Sequence, residues 1–297
     1  MYQNRRNTYL DRIQSNALSL FFSGRAPQKS ADQFYPLTVN KNFYYLTGLD
    51  QENVVLLIAK GENTSDSYLF IDPVDPVKAL WDGAGYTFEE ASEISGIDLK
   101  NIRPIDTLDQ TIAQFLSTSR RALYGYIETV YLDLERLNEV VPPSLAITYS
   151  HKLSALFPYL TLKTNQMILA EMRTVKDAFE IEQTKKALEI TQEGLTRIMD
   201  TLKPGKFEYQ IQAEYNYVLN NHRTSPSFNT IAASGKNATI LHYVDNDSKI
   251  NDGDLVLFDL GVNYEHYASD ITRTFPANGK FTDRQKAVYE VVLKANT

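Results

Sequence analysis

Two aspartates, Asp259 and Asp270, stand where their side chains indicate metal chemistry. Asp259 lies in the apolar segment 255–261, which predicts a strand buried on both faces. A lone carboxylate there costs several kcal/mol unless it is paired, protonated or bound to a metal. A symmetric hairpin with its tip at 264–265 places Asp270 directly opposite Asp259, with Cβ atoms about 5 Å apart. Two anions in that position repel, and one or two divalent cations would resolve the repulsion.

The choice of metal follows from the ligands that the composition offers. The sequence has no cysteine and four histidines, so a metal site must depend on carboxylate oxygens, which favour Mn²⁺, Mg²⁺ or Co²⁺. The structural alternative is that Asp259 is protonated, or that Asp270 hydrogen-bonds to Ser269 or Thr272. A register that differs by one residue would put the two carboxylates on opposite faces. The residues alone leave both interpretations open.

His242 is the second candidate, and Trp81 the third. If segment 239–244 forms a strand beside the aspartates, the imidazole can hydrogen-bond a substrate carbonyl or a developing oxyanion. The alternative is a core histidine bonded to a backbone carbonyl. Trp81 is the only tryptophan, and packing in a core or an interface is the commoner role of such a residue. The glycines near 83–85 and 235 lack the further residues of dinucleotide- or phosphate-binding loops.

The elements that would position these residues fall into two halves. Strands interleaved with helices in the first half predict a mixed sheet covered by helices, with a break near 158–167. From residue 176 an amphipathic pattern predicts a long helix, with Asp177 and Glu180 as a capping box, followed by a second helix. The predicted elements are strands at 17–22, 54–60, 68–71, 229–233, 239–244, 255–261 and 267–275, and helices at 88–94, 108–116 and 283–295. Because the chain stops inside this last apolar pattern, we expect a truncated sequence.

Composition excludes several classes of protein. The chain has 297 residues, 43% hydrophobic and 23% charged, which is typical of a folded protein with two domains. The net charge of −7 argues against a nucleic-acid surface. No apolar run approaches the ~18 residues of a membrane span, and no export signal is evident at the start. We therefore expect a soluble cytoplasmic protein without nucleic-acid or membrane partners.

Several segments resemble the Xaa-Pro aminopeptidase branch of the creatinase and methionine-aminopeptidase superfamily. They are Asn237-Ala-Thr-Ile-Leu-His-Tyr, Gly253-Asp-Leu-Val-Leu-Phe-Asp-Leu-Gly and Tyr267-Ala-Ser-Asp-Ile-Thr-Arg-Thr-Phe, with further similarity at 42–48, 81–83 and 171–177. The resemblance covers nearly the whole chain. It implies an α/β protein: a creatinase-like amino-terminal α/β domain at 1–160, then the first part of a "pita-bread" α/β domain at 168–297.

The resemblance also implies an activity and roles for residues. The family releases an amino-terminal residue that precedes proline, using a hydroxide that bridges two divalent ions, usually Mn²⁺, with Co²⁺ or Zn²⁺ as alternatives. Asp259 and Asp270 match the first two metal-ligand positions, and His242 matches the histidine that contacts substrate or stabilises the tetrahedral intermediate. Trp81 falls near a tryptophan that reaches a neighbouring subunit's active site in some members, which implies a homo-oligomer, expected to be a dimer.

One departure from the family pattern and two alternative functions remain. The family's other ligands, one histidine and two glutamates, would follow Thr297, so we expect this chain to be inactive by itself. The same motifs also occur in Xaa-Pro dipeptidases (prolidases), and the fold occurs in non-enzymatic proteins that bind other proteins. These are the alternative functions.

Overall fold

The computed structural model describes residues 1–117 and 123–296, and it divides into two compact units, Met1–Val175 and Lys176–Thr297. Each unit has its own hydrophobic core. Segment 158–167, where the sequence pattern changes, holds the last strand of the first unit's sheet and the start of a helix.

The first unit alternates helices and strands. Its helices are α1 (Tyr2–Arg12), α2 (Lys41–Thr47), α3 (Pro76–Asp82), α4 (Phe88–Ser95), α5 (Leu108–Leu116), α6 (Leu145–Leu156) and α7 (Gln166–Thr174). Its strands are β1 (Ala17–Phe22), β2 (Gln28–Ser30), β3 (Gln33–Phe34), β4 (Val55–Lys60), β5 (Ser65–Ile71), β6 (Ile102–Pro104), β7 (Thr129–Leu132) and β8 (Thr161–Thr164).

A mixed six-stranded sheet organises this unit, in the order β6-β5-β4-β1-β7-β8. The central strands β4, β1 and β5 pair antiparallel, whereas β6, β7 and β8 each join a parallel neighbour. Five of the six residues in both β1 and β4 are buried, as expected for strands covered on both faces. The predicted mixed sheet with covering helices is confirmed.

Arg6 of α1 connects this helix to α2 and α4 through hydrogen bonds. Its guanidinium is buried and donates to the main-chain oxygens of Leu46, at 2.8 Å, and Ser95, at 2.9 Å. These carbonyls lie at the ends of α2 and α4, where helices leave oxygens without intrahelical partners. Burial lowers the pKa of Arg6 to about 10.

The second unit packs two long helices against its strands. Its helices are α8 (Ala178–Thr201), α9 (Glu208–Asn221) and α10 (Asp283–Asn296), and its strands are β9 (Ser225–Pro226), β10 (Ile231–Ser234), β11 (Leu255–Leu260), β12 (Val262–Tyr264), β13 (Tyr267–Ala268) and β14 (Ile271–Pro276). The strands form two three-stranded sheets, β10-β11-β14 and β13-β12-β9.

Helix α8 begins at the predicted capping box. The Asp177 carboxylate accepts from the Glu180 N–H, and the Glu180 carboxylate accepts from the Asp177 N–H, both at 3.0 Å. Further along, Gly194 faces the Tyr215 ring of α9 so closely that a methyl group there would overlap it. The glycine therefore permits the close approach of the two helices.

Two predicted strands differ from the structure. Segment 239–244 is not a strand: a 3-10 helix, Gly235–Thr239, leads into a turn at Leu241 and His242. Segment 267–275 divides into β13 and β14 around Ser269 and Asp270. In the described part of the chain, no helix combines the length and the apolar character that a bilayer span needs.

Candidate metal and substrate site

The predicted direct pairing of Asp259 with Asp270 is wrong. Strands β11 and β14 are antiparallel as expected, but Asp259 stands opposite Thr272. The partner of every β11 residue lies two positions further along the chain than the predicted hairpin required.

The cause is the hairpin turn. Tyr264 pairs with Tyr267, so Glu265 and His266 form the two-residue tip, one position later than predicted. Both tip residues have positive φ, 46° and 67°, which is the backbone of a type I′ turn. Glycine and asparagine usually mark this turn, and neither is present, so the sequence carries no strong local signal for it.

A shift of two residues keeps the side chains on their predicted face. Asp270 precedes Thr272 by two residues, so the alternation of an extended chain directs it to the same side as Asp259. Diagonal neighbours of this kind have Cα atoms about 7–8 Å apart in a regular ladder. Asp259 and Asp270 therefore occupy diagonal positions in the hairpin register and are not direct partners.

The surroundings of Asp259 are more open than the sequence indicated. The strand is buried on one face only: Val256, Phe258 and Leu260 are buried, whereas Asp259 and the leucines on its face are half-buried. The Asp259 Oδ1 atom accepts a hydrogen bond from the Thr272 Oγ1 at 2.7 Å. Desolvation alone therefore does not demand a cation, because one oxygen is satisfied and the face is partly open to solvent.

Ser269 fixes the backbone next to Asp270. Its buried hydroxyl accepts from the Val262 N–H at 2.8 Å and exchanges a hydrogen bond with the Thr191 hydroxyl of α8 at 2.6 Å. Its main-chain oxygen accepts from the Ser227 hydroxyl at 2.9 Å. The Asp270 carboxylate itself is exposed and has no hydrogen-bond or ion-pair partner among the described residues. Thr191 is not singled out by the sequence; the signal that could have found it is a threonine on the buried face of a helix.

The loop that carries His242 packs on the Asp259 side of the sheet. Its neighbour Tyr243 is buried in a cluster with Ile231, Ala233 and Leu257. Ile231 is the cross-strand partner of Asp259, so its side chain lies on the same face. His242 itself is exposed in the turn, which contradicts the interpretation as a core histidine. The structure thus places Asp259 and this loop on one side of the β10-β11-β14 sheet, and the strand alternation assigns Asp270, which lies just before β14, to the same side.

Trp81 belongs to the first unit. It lies in α3, and its side chain is 82% exposed, so it does not pack in the core of that unit.

The two aspartates fit part of a divalent-metal site. Carboxylate oxygens are hard ligands suited to Mn²⁺ or Mg²⁺, and Asp270 and the second oxygen of Asp259 have no hydrogen-bond partner in the described chain. Among residues 1–117 and 123–296, no group of three or more histidines, aspartates and glutamates is placed to hold a metal ion. These two side chains would therefore supply at most two of the ligands that a metal ion needs.

Comparison with known proteins identifies relatives of both units. Residues 182–297 match metallopeptidase family M24, and residues 2–124 match the aminopeptidase P amino-terminal domain. The curated Xaa-Pro aminopeptidases of Escherichia coli K12 and Haemophilus influenzae are each 34% identical over 99% of this chain, which spans 66% and 64% of their lengths. The chain thus covers somewhat less than two thirds of these curated relatives.

Solved structures agree with the sequence relatives. A Bacillus anthracis protein assigned as an aminopeptidase P superposes with a TM-score of 0.94 at 35% identity, over 99% of this chain and 68% of that one. An Escherichia coli aminopeptidase P in complex with substrate gives a TM-score of 0.85 at 33% identity, over 99% of this chain and 66% of that one.

Proposed function

This chain belongs to the aminopeptidase P family of M24 metallopeptidases, and we propose that it carries part of the catalytic site of an Xaa-Pro aminopeptidase. Its substrates would be peptides with proline at the second position, from which the first residue is released. It is an α/β protein with a creatinase-like amino-terminal domain and a pita-bread domain; the limits 1–160 and 168–297 remain our proposal.

The observation that supports this proposal is that Asp259 shares one face of the β10-β11-β14 ladder with Tyr243 of the His242 loop, while Asp270 occupies the diagonal position of the same hairpin. We assign the two carboxylates to metal binding, with two Mn²⁺ ions as the proposed occupants. Divalent ions held there would act as Lewis acids and lower the pKa of a water molecule. The Thr272 hydroxyl orients Asp259 by donating a hydrogen bond to Oδ1, which leaves Oδ2 available to bind a metal ion.

His242 is assigned to the substrate. Its exposed position in a turn lets the imidazole donate to the scissile carbonyl oxygen and to the charge that develops there. Ile240, Leu241 and Val244 are also exposed around it, so the same loop offers apolar surface for a proline ring. Binding and polarisation of the substrate would then come from one loop.

We propose further that residues 1–297 bind metal weakly and do not hydrolyse peptides without additional ligands. Catalytic metal sites commonly use three protein ligands, and Asp259 and Asp270 provide two. A cytoplasmic location and a dimer are parts of the same proposal; the exposed Trp81 is the residue that would reach a second copy.

The test is hydrolysis of three peptides, Ala-Pro-Ala, Ala-Ala-Ala and the dipeptide Ala-Pro, with Mn²⁺ or with EDTA. The complete gene product is compared with residues 1–297, and the Asp259→Asn variant of each is measured beside it. The matched control is Asp252→Asn, because Asp252 is an exposed acid outside the site. We expect Mn²⁺-dependent release of alanine from Ala-Pro-Ala by the complete product and its Asp252→Asn variant alone.

The other outcomes separate the alternatives. Cleavage of the dipeptide alone would show an Xaa-Pro dipeptidase instead. No cleavage of any peptide by the metal-loaded complete product would favour a binding module. Hydrolysis by residues 1–297 would overturn the proposed inactivity of that chain.

A further inference from the structure

Glu208 is a buried carboxylate that the proposed mechanism does not use. It is the first residue of α9, and its side chain has no solvent exposure. A buried carboxylate is tolerated only when hydrogen bonds or charges compensate its lost hydration. The hydrogen-bond donors around Glu208 therefore indicate which part of the chain its carboxylate holds in place.

Five donors converge on this carboxylate, all from segment 234–248. Oε1 accepts from the Ser234 N–H at 2.6 Å, the Ser234 hydroxyl at 2.7 Å and the Asn237 side-chain amide at 3.2 Å. Oε2 accepts from the Tyr243 hydroxyl at 2.7 Å and the Ser248 N–H at 2.9 Å. In return, the Glu208 N–H donates to the Ser248 main-chain oxygen at 3.0 Å. One side chain thus binds both ends and two interior residues of the segment.

Two of these donors flank His242. Asn237 and Tyr243 are joined to each other, since the Asn237 amide donates to the Tyr243 hydroxyl at 3.1 Å. The residues between them turn through the bonds Ile240 N–H to Asn237 O, 3.0 Å, and Tyr243 N–H to Ile240 O, 3.3 Å. His242 itself is exposed, so its position depends on the anchors on either side.

The sheet geometry shows why an anchor is needed. Strand β10 is the edge of its sheet, with α9 packed behind it and the Tyr243 ring packed in front. Glu208 belongs to α9 yet binds the Tyr243 hydroxyl, so it connects the helix behind the sheet to the loop in front.

We propose that Glu208 is the positioning residue for His242: it holds the loop 235–248 against the face where Asp259 lies. The assignment of His242 to substrate rests on the proposed function, whereas the anchoring of the loop is measured independently of activity. Glu208 touches no reacting atom, so its effect is exerted through the loop.

Glu208→Gln is the sharpest substitution. Each carboxylate oxygen accepts from a main-chain N–H, Ser234 on one side and Ser248 on the other. Whichever way a glutamine amide is turned, its NH₂ group faces a main-chain N–H, and both groups can only donate a hydrogen bond. The loop must therefore detach on at least one side.

The measurement is made on the 297-residue chain by NMR relaxation and hydrogen exchange. In the wild type we expect backbone order parameters of about 0.85 at residues 241–242, falling below about 0.6 in Glu208→Gln. Amide exchange at Ser248 should accelerate about tenfold or more, because the N–H loses its buried acceptor. The matched control is Glu180→Gln, another buried glutamate of the same unit, which should leave residues 241–242 at wild-type values.

Asn237→Ala provides a second, milder variant if Glu208→Gln does not fold, because four of the five donors remain. It should loosen residues 241–242 by a smaller amount. Wild-type order parameters at 241–242 in a folded Glu208→Gln or Asn237→Ala variant would overturn the proposal, as would equal loosening by Glu180→Gln. Unchanged turnover of the complete gene product in His242→Ala would instead overturn the role of His242 in the proposed function, leaving the anchoring result intact.

Discussion

Replacement of Gly261 by alanine tests the packing that holds Asp270. An ideal Cβ at Gly261 would lie deep inside contact distance of the Ser269 main-chain oxygen and the Ser227 hydroxyl, and 2.8 Å from the Ser269 carbonyl carbon. The φ angle of Gly261 is outside the left-handed region, so the glycine is needed for space and not for backbone conformation. Because the main neighbour is backbone, it cannot move aside as a flexible side chain would.

The magnitude follows from what must give way. Overpacking of this kind costs about 1–3 kcal/mol. Separation of the strands also weakens two or so of the local hydrogen bonds, among them Ser227 N–H to Gly261 O at 3.0 Å and Ser269 N–H to Val262 O at 2.9 Å. At roughly 1 kcal/mol for each of two such bonds, the total loss is about 3–5 kcal/mol. For a unit of this size, that loss lowers the Tm by roughly 12–20 °C.

The assay is thermal unfolding followed by circular dichroism. Gly279→Ala is the control, because Gly279 has a φ of 78° and open space around its Cβ position. It should cost only the left-handed backbone strain, about 1–2 kcal/mol. A Gly261→Ala variant no less stable than Gly279→Ala would refute the steric argument and the anchoring of Asp270 that depends on it.

Two further predictions concern the first unit. Arg6→Met should lower the free energy of unfolding by about 2–4 kcal/mol in urea titrations, since two buried carbonyls lose their donor; Arg12→Met, which breaks an exposed ion pair, should cost about 0–1 kcal/mol, and equal losses would contradict this account. Burial also raises the pKa of Tyr9 and Tyr149 above the usual value near 10, so the folded state keeps protons that the unfolded chain releases. The contribution of these tyrosines to stability is therefore fully present below pH 10, and above pH 10 it falls by about 1.4 kcal/mol per pH unit for each tyrosine. Arg6 partly offsets this fall, because its lowered pKa favours the folded state as the pH rises beyond about 10. An unchanged urea midpoint between pH 9 and 11 would show that burial has no such effect.

Helices and strands that depend on neighbouring residues of the sequence were predicted correctly. Helix α5 has the predicted bounds because its apolar residues repeat at helical spacing, and α8 starts at the predicted capping box of Asp177 and Glu180. Strands β1 and β4 were predicted within a residue, since continuous apolar runs of this length are typical of strands covered on both faces.

Contacts distant in sequence explain the errors. Segment 239–244 has the apolar and β-branched residues of a strand, but Glu208 and the packing of Tyr243 hold it as a turn, and neither can be read from the segment itself. The hairpin register failed because the turn at Glu265 and His266 lacks the usual glycine or asparagine. The predicted face of the two aspartates did not depend on that error, since a turn displaced by one residue shifts each cross-strand partner by two positions and so keeps the side chains on the same face.

Metal binding by Asp259 and Asp270 is the central claim, and a Mn²⁺ titration of the 297-residue chain tests it most directly. The electron paramagnetic resonance signal of free Mn²⁺ would be followed for the wild type, Asp259→Asn, Asp270→Asn and the surface control Asp252→Asn. We predict weak binding of equal strength by the wild type and Asp252→Asn, and at least about a tenfold loss in each of the other two, which corresponds to one lost charged contact. Equal affinity in all four proteins, or no binding by any of them, would contradict the claim.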